Sequence, residues 1–272
     1  MSTFARKAAA AALVLLALSA WVVAFPARAQ PAGGRAWLGV AMGQEADGPG
    51  ARVQHVVRSS PAEKAGLRAG DRVVRVSGQA VGKGADVVAA VSSHAAGEAI
   101  DIAFVREGKE QDARTVLAAL PSPSEMLRMD LVGGPAPDWS DVETASGTFP
   151  ASLAALRGRV ILLDFWATWC APCRAVAPKL GALQARYGAQ GLTVLGVSTE
   201  DAQDLALYAQ RSSMRYAVGA DRGAGMTRAY GVMSMPTLVV IDRRGTVRDA
   251  SVGYDPSEGG RLEGLVRSLL AE

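Results

Sequence analysis

The sequence carries cysteine at two positions only, Cys170 and Cys173, within Asp164-Phe-Trp-Ala-Thr-Trp-Cys-Ala-Pro-Cys173. A Cys-X-X-Cys pair that follows an apolar strand and opens a helix is suited to making and breaking a disulfide. Unpaired N–H groups and the positive dipole end of a helix N-terminus favour thiolate over thiol at Cys170. The thiolate is the species that attacks a partner's disulfide. Asp164, six residues before Cys170, is the second chemical signal. It interrupts a strand that should be buried, where an acidic side chain is costly and needs a reason. The plain alternative is a side chain that escapes at a strand edge or pairs with a lysine.

The elements that must position these residues lie on both sides of the pair. Arg159 to Trp166 is an almost unbroken apolar run, the pattern of a central strand covered on both faces. The spacing predicts a helix over Pro172 to Tyr187, a strand over Leu192 to Val197 and a helix over Asp201 to Arg211, with Ser198 to Asp201 as its cap. Thr237 to Ile241 and Thr246 to Ala250 flank a turn at Asp242 to Gly245, which is a hairpin signal. Leu262 to Leu270 closes as an amphipathic helix, and the whole order is that of an α/β layer fold.

The upstream part has a different character. Strands are expected over Arg52 to Val57, Asp71 to Val76 and Ile100 to Val105. A short helix follows Ser60, which can cap it, with Pro61 at its first position and Gly66 at its end; a second helix is expected over Ala85 to Val91. Prolines and serines from Leu120 to Glu125 break any periodic pattern. The resulting division is a first domain at 36–120, a linker at 121–133 and a second domain at 134–272.

Within the first domain, Trp37-Leu-Gly-Val40, Ser60-Pro-Ala62, Ala65-Gly-Leu67, Gly70-Asp71 and Val76-Ser-Gly78 give a pattern that resembles a bacterial PDZ domain of the HtrA type. The resemblance implies a small, mostly-β (α+β) domain. It also implies that backbone N–H groups of Leu38, Gly39 and Val40 bind the carboxylate of a C-terminal peptide, which adds to the sheet as a strand. The Ala- and Val-rich segment 85–94 implies a pocket for a small or medium apolar terminal residue.

The second domain resembles the thioredoxin-fold TlpA/ResA-like family of exported thiol-disulfide oxidoreductases. The residues that carry this are Gly134-Pro-Ala-Pro-Asp-Trp139, Gly158-Arg-Val160, the run from Asp164 to Cys173, Gly191 to Ser198 and Met235-Pro-Thr237. The resemblance implies an α/β thioredoxin-like fold with Cys170 as nucleophile and Cys173 as the resolving thiol. Asp164 then relays the proton of Cys173, and desolvation tunes its pKa for that task. Pro236 corresponds to a cis-proline facing the disulfide, which exposes the backbone of Met235 to an extended substrate. Trp169 shields one side of the sulfur and offers an apolar contact to a partner, and Pro178 corresponds to a helix-kinking proline. Some family members devoted to cytochrome c maturation carry glutamate three residues after the second cysteine, whereas this chain has Val176, which weakens a direct assignment to haem-protein thiol reduction.

Arg6 and Lys7 precede an uncharged stretch from Ala8 to Ala27, and Ala27-Arg28-Ala29 is an Ala-X-Ala cleavage pattern. Residues 1–29 therefore read as a secretory signal peptide, with an uncleaved anchor as the alternative. Those residues hold three basic and no acidic groups, so removing them lowers 29 basic residues to 26, equal to the 26 acidic ones. No basic excess is left that would point to nucleic acid. Export places the chain in the periplasm, where structural disulfides are normal; a pair three residues apart is too close to staple a fold and reads as catalytic.

Several functions are excluded by supply. His55 and His94 are the only histidines, so neither a Ser-His-Asp triad nor a histidine-bearing copper site at the cysteine pair is available. One Cys-X-X-Cys provides two of the four ligands of a structural zinc, which leaves two-coordinate Cu(I) as the metal alternative. The expected activity needs no cofactor beyond the Cys170–Cys173 disulfide. The reading is an exported thiol-disulfide oxidoreductase, a reductase of protein disulfides, fed by a membrane thiol electron donor and recruiting C-terminal peptides through its PDZ domain. The alternative is a PDZ-based adaptor or holding protein in which the cysteine pair is a redox switch.

Overall fold

The computed structural model describes residues 34–43, 48, 50–212, 214–255 and 259–272. The expected signal segment lies outside the described residues. Among the described residues no helix is long and apolar enough to cross a membrane.

The first unit runs β1 (Ala36–Trp37), β2 (Val40–Met42), β3 (Ala51–Val56), α1 (Pro61–Lys64), β4 (Arg72–Val76), β5 (Gln79–Ala80), α2 (Gly84–Ser92), β6 (Ala99–Arg106), β7 (Lys109–Val116) and β8 (Ala118–Ala119). Five of these strands form one sheet in the order β2-β3-β4-β6-β7, with β5 paired to β4, while β1 pairs with β8. Val53, Val73, Val76, Ile100, Ile102 and Leu117 are its buried centre. Ser60 caps α1 as its sequence position suggested, accepting from the Glu63 N–H at 3.2 Å. Glu63 returns the bond to the Ser59 N–H at 2.6 Å. Buried Asp71 is satisfied by a two-pronged contact with Arg106, both bonds at 2.7 Å.

Residues 123–131, inside the stretch expected to act as a linker, form a nine-residue helix, α3 (Pro123–Leu131). Ser122 and Glu125 make a reciprocal capping box, and Pro123 stands where a missing N–H costs nothing. Leu127 and Leu131 are buried in the core of the second unit. At the other end Asp130 accepts from the Arg58 N–H at 3.2 Å and lies 2.8 Å from His55 Nε2. The segment thus packs as an element of the second unit and touches the first.

The second unit continues with β9 (Glu143–Ser146), β10 (Val160–Phe165), α4 (Ala171–Tyr187), β11 (Leu192–Ser198), α5 (Ala202–Arg211), β12 (Ala217–Ala220), α6 (Gly225–Ala229), β13 (Thr237–Ile241), β14 (Val247–Val252) and α7 (Gly259–Ala271). Its sheet has the order β14-β13-β10-β11-β12-β9, with β10, β11 and β12 parallel. All six residues of β10 are buried, as a doubly covered strand requires. Val160 and Leu162 face α4 and α7 through Leu180 and Val266, while Ile161, Leu163 and Phe165 face α3 and α6 through Leu131 and Met226. This is a layered α/β fold with helices on both faces, preceded by a small mostly-β domain.

Candidate functional site

The register of β10 assembles the site. Phe165 pairs with Thr237 across β13, which brings the loop after β10 beside the residues just before β13. The first of those loops leads to Cys170, the N-cap of α4, and the second holds the cis peptide Met235–Pro236. Cys170 and Cys173 are joined as a disulfide, and Cys170 Sγ also accepts from the Cys173 N–H at 3.3 Å. Both cysteine residues are nearly covered, with relative exposure of 3% at Cys170 and 1% at Cys173. Pro172 occupies the first turn of α4, where helix N–H groups lack intrahelical partners anyway, and Pro178 lies inside the helix.

Two large apolar side chains stand out from this surface. Trp169 is 73% exposed and Met233 is 92% exposed. Met235 is half-buried against the cluster that contains both cysteines. Trp169 was named from the sequence, whereas Met233 carried no signal there, because a lone methionine in a loop is unremarkable until its neighbours are known.

Asp164 shares the cysteine-side face of β10 with Trp166, since side chains alternate along a strand. Its relative exposure is 1%. No lysine reaches it and it does not escape to an edge: its partner is the Tyr216 phenol, which donates to Oδ2 at 3.0 Å. Oδ1 has no hydrogen-bond partner among the described residues. Burial pushes the carboxyl up to about 7, and the Tyr216 bond pulls in the opposite direction without offsetting it.

Glu200 is a positioning residue that the sequence reading placed elsewhere. The segment 198–201 was expected to cap α5, and Asp201 does so by accepting from the Gln203 N–H at 3.0 Å. Glu200 turns away and grips the loop ahead of the cysteines. It accepts from the Thr168 N–H at 2.8 Å and from Thr168 Oγ1 at 2.6 Å, and Ser198 Oγ donates to it at 3.0 Å. Replacing Glu200 by alanine leaves two Thr168 donors without partners and is expected to lower stability by about 1–3 kcal/mol. Denaturant titration of the oxidised variant reads this directly; an unchanged midpoint would mean that the loop is held by other contacts.

In the first unit the structure brings Leu38, Gly39 and Val40 against α2. A cleft of about 220 Å³ opens there, with Val87, Val88 and Val91 as its opposite wall. Gly39 has φ +90°, and a Cβ at that position would stand 2.2 Å from the Ser60 Cβ. The glycine is thus required by both conformation and contact.

Comparisons with known proteins agree with this division. Residues 36–117 match the PDZ domain family and residues 132–250 the AhpC/TSA family. The thioredoxin-like protein YneN of Bacillus subtilis (strain 168) is 36% identical over 125 residues, which cover 44% of this chain and 71% of that protein. The thiol-disulfide oxidoreductase ResA of Geobacillus thermodenitrificans (strain NG80-2) is 34% identical over 125 residues, covering 45% and 70%. Among solved structures, a thiol:disulfide interchange protein of the thioredoxin family from Chlorobium tepidum TLS is 29% identical, with 50% of this chain and 95% of that chain covered and a TM-score of 0.44. With the disulfide at the head of α4, the cis-proline beside it and the similarity to YneN and ResA, the chain belongs to the thioredoxin-like thiol-disulfide oxidoreductases that include ResA and YneN, and it carries a PDZ domain ahead of the redox domain.

Proposed function

We propose that the protein is an exported reductase of protein disulfides, working in the periplasm through Cys170 and Cys173. The observation that supports this most is the cysteine pair at the N-terminus of α4, set beside the cis Met235–Pro236 peptide and flanked by exposed Trp169 and Met233. A partner's extended segment can pair with the Met235 backbone while its apolar side chains meet Trp169. Cys170 thiolate attacks the substrate disulfide and forms a mixed disulfide. Cys173 then gives its proton to Asp164 and attacks Cys170 Sγ, releasing the reduced substrate. Each cycle leaves the pair oxidised, so a membrane thiol carrier must return two electrons. The signal-like residues 1–29 support export.

The cleft between Val40 and α2 supports recruitment of partners by an apolar C-terminal residue. Its α2 wall is Val87, Val88, Val91 and Ser92, Leu38 and Leu120 add apolar surface, and the one charged lining residue among the described residues is Arg35, so terminal Val, Ala or Leu should be preferred. A pull-down with randomised C-terminal peptides reads this, and absence of enrichment at the last position would remove the recruitment role. The same cleft favours the adaptor reading, in which peptide binding is the function and the disulfide a switch. Cys170→Ser with peptide binding intact separates the two: loss of phenotype speaks for the enzyme.

Equilibration of the pair with defined thiol buffers decides direction. A potential near or below about −230 mV is expected for a reductase. A value near about −120 mV would overturn that direction in favour of a disulfide-forming oxidant.

A further inference from the structure

Tyr216 is buried at the entrance to β12 and belongs to no motif. Strand β11 separates β12 from β10, so a side chain at this position must cross a whole strand to touch Asp164. It crosses over Gly196, which pairs in register with Asp164 on one side and with Val218 on the other. A Cβ at position 196 would stand 3.1 Å from Tyr216 Cε2 and 2.9 Å from Trp166 Nε1. The bare backbone at Gly196 is the passage through which the phenol reaches the carboxylate.

The two carboxylate oxygens of Asp164 are treated differently. Oδ2 takes the Tyr216 O–H at 3.0 Å, and Oδ1 has no partner among the described residues. One oxygen is held in place and the other keeps its lone pairs open to a proton. Burial and the adjacent carboxylate push the Tyr216 pKa far above its ordinary value, so the phenol is a donor throughout the working range. Among the described residues only burial and this hydrogen bond move Asp164, and no cation contributes. Tyr208, on α5, acts on Tyr216, and the α4 cysteines are locked in their disulfide.

We propose that Tyr216 is the positioning residue for proton transfer: it holds Asp164 by Oδ2 and sets the pH at which Oδ1 takes up the Cys173 proton. The inference rests on the role for Asp164 proposed above. In that step the Cys173 S–H bond breaks, its proton passes to Asp164, and the sulfur bonds to Cys170 Sγ. The Cys170–substrate S–S bond breaks in turn, and the departing substrate thiolate takes the proton. Two electrons have then moved from the enzyme dithiol to the substrate disulfide. A hydrogen bond to the ionised form lowers a carboxyl pKa, so losing the phenol raises it.

The test follows the reduced full-length protein reacting with dithiobis(nitrobenzoate), reading release of the second thionitrobenzoate, which reports attack by Cys173. The wild-type rate is expected to rise with pH through about 7, the Asp164 value. Tyr216→Phe keeps the ring and its packing but loses the donor. Its limb should move up by about one pH unit or more, making release about fivefold slower near neutrality and equal to wild type at high pH. Gly196→Ala, which crowds the same phenol, should move the limb in the same direction and guards against a folding defect in the first variant. A matching rise of the Asp164 carboxyl in a ¹³C titration of Tyr216→Phe completes the support. If Asp164→Asn abolishes the limb and Tyr216→Phe leaves it in place, this inference alone is overturned. If Asp164→Asn keeps the limb, the base role falls and the inference falls with it.

Discussion

Serine in place of Cys170 is expected to reduce protein-disulfide reduction by about a thousandfold or more, to the uncatalysed rate. A hydroxyl cannot substitute, because the helix N-terminus at α4 favours an anion by only about 0.3–1 kcal/mol. That is far too little to ionise an alcohol near neutral pH, whereas a thiol lies within reach of ionisation. Relative to the oxidised protein the variant should lose about 2 kcal/mol of stability, the small loop-closure contribution of a disulfide between residues only three apart. Cys173→Ser should behave differently. Attack by Cys170 survives but the resolving thiol is gone, so a mixed disulfide with the substrate accumulates. A disulfide-reduction assay and mass spectrometry of the non-reduced products check both outcomes. Full activity in Cys170→Ser would end the redox reading, and absence of a trapped adduct in Cys173→Ser would reverse the order of the two sulfurs.

Asp164→Asn is expected to make the protein more stable and less active at once. The folded chain holds the Asp164 proton up to about pH 7, against an ordinary value of 3.8. The folded state therefore binds this proton more tightly than the unfolded state. Stability is greatest below the unfolded value, declines as pH rises toward the folded one, and levels off above it. About three pH units correspond to about 4 kcal/mol that wild type forgoes at alkaline pH. Asparagine removes the charge and can still accept from Tyr216, but its buried amide N–H groups lack a partner, which costs about 1–3 kcal/mol. The charge effect is the larger, so a net gain of about 2 kcal/mol is expected at about pH 8, turning into a deficit below about pH 5. Denaturant midpoints across pH measure it; parallel curves for the two proteins would show that Asp164 is not the group that titrates. Release of substrate by Cys173 should slow by about a hundredfold in the same variant, the usual worth of a positioned general base.

The strong local signals of this chain were covalent and periodic. An apolar run from Val160 broken only by Asp164, a Cys-X-X-Cys at the head of a helix and a proline-turn-strand sequence downstream made the redox domain readable, and the glycine and capping pattern around Leu38 and Ser60 did so for the PDZ domain. Helix α3 escaped for a reason visible in the same letters. Ser122-Pro-Ser-Glu125 has the prolines of a linker and also the spacing of a capping box, and only the burial of Leu127 and Leu131 against the second unit shows which applies. Strands β9 and β12 were missed because four residues apiece are too few to display a period.

For the site, residue type and spacing were enough to nominate Cys170, Cys173 and Asp164, because their chemistry is tied to positions along one strand and one helix end, while Pro236 was named through the family resemblance carried by Met235-Pro-Thr237. The carboxylate's partner was another matter. Tyr216 lies 52 residues from Asp164 and touches it only because three strands lie side by side and Gly196 leaves the middle one bare. Glu200 likewise looks like a helix-cap residue until β11 sets it beside Thr168. Local pattern encodes which residues can do the chemistry, since strand and helix periods and reactive types are short-range properties. The hydrogen bonds that hold and tune them join residues far apart in the chain, and sheet order alone brings those into contact.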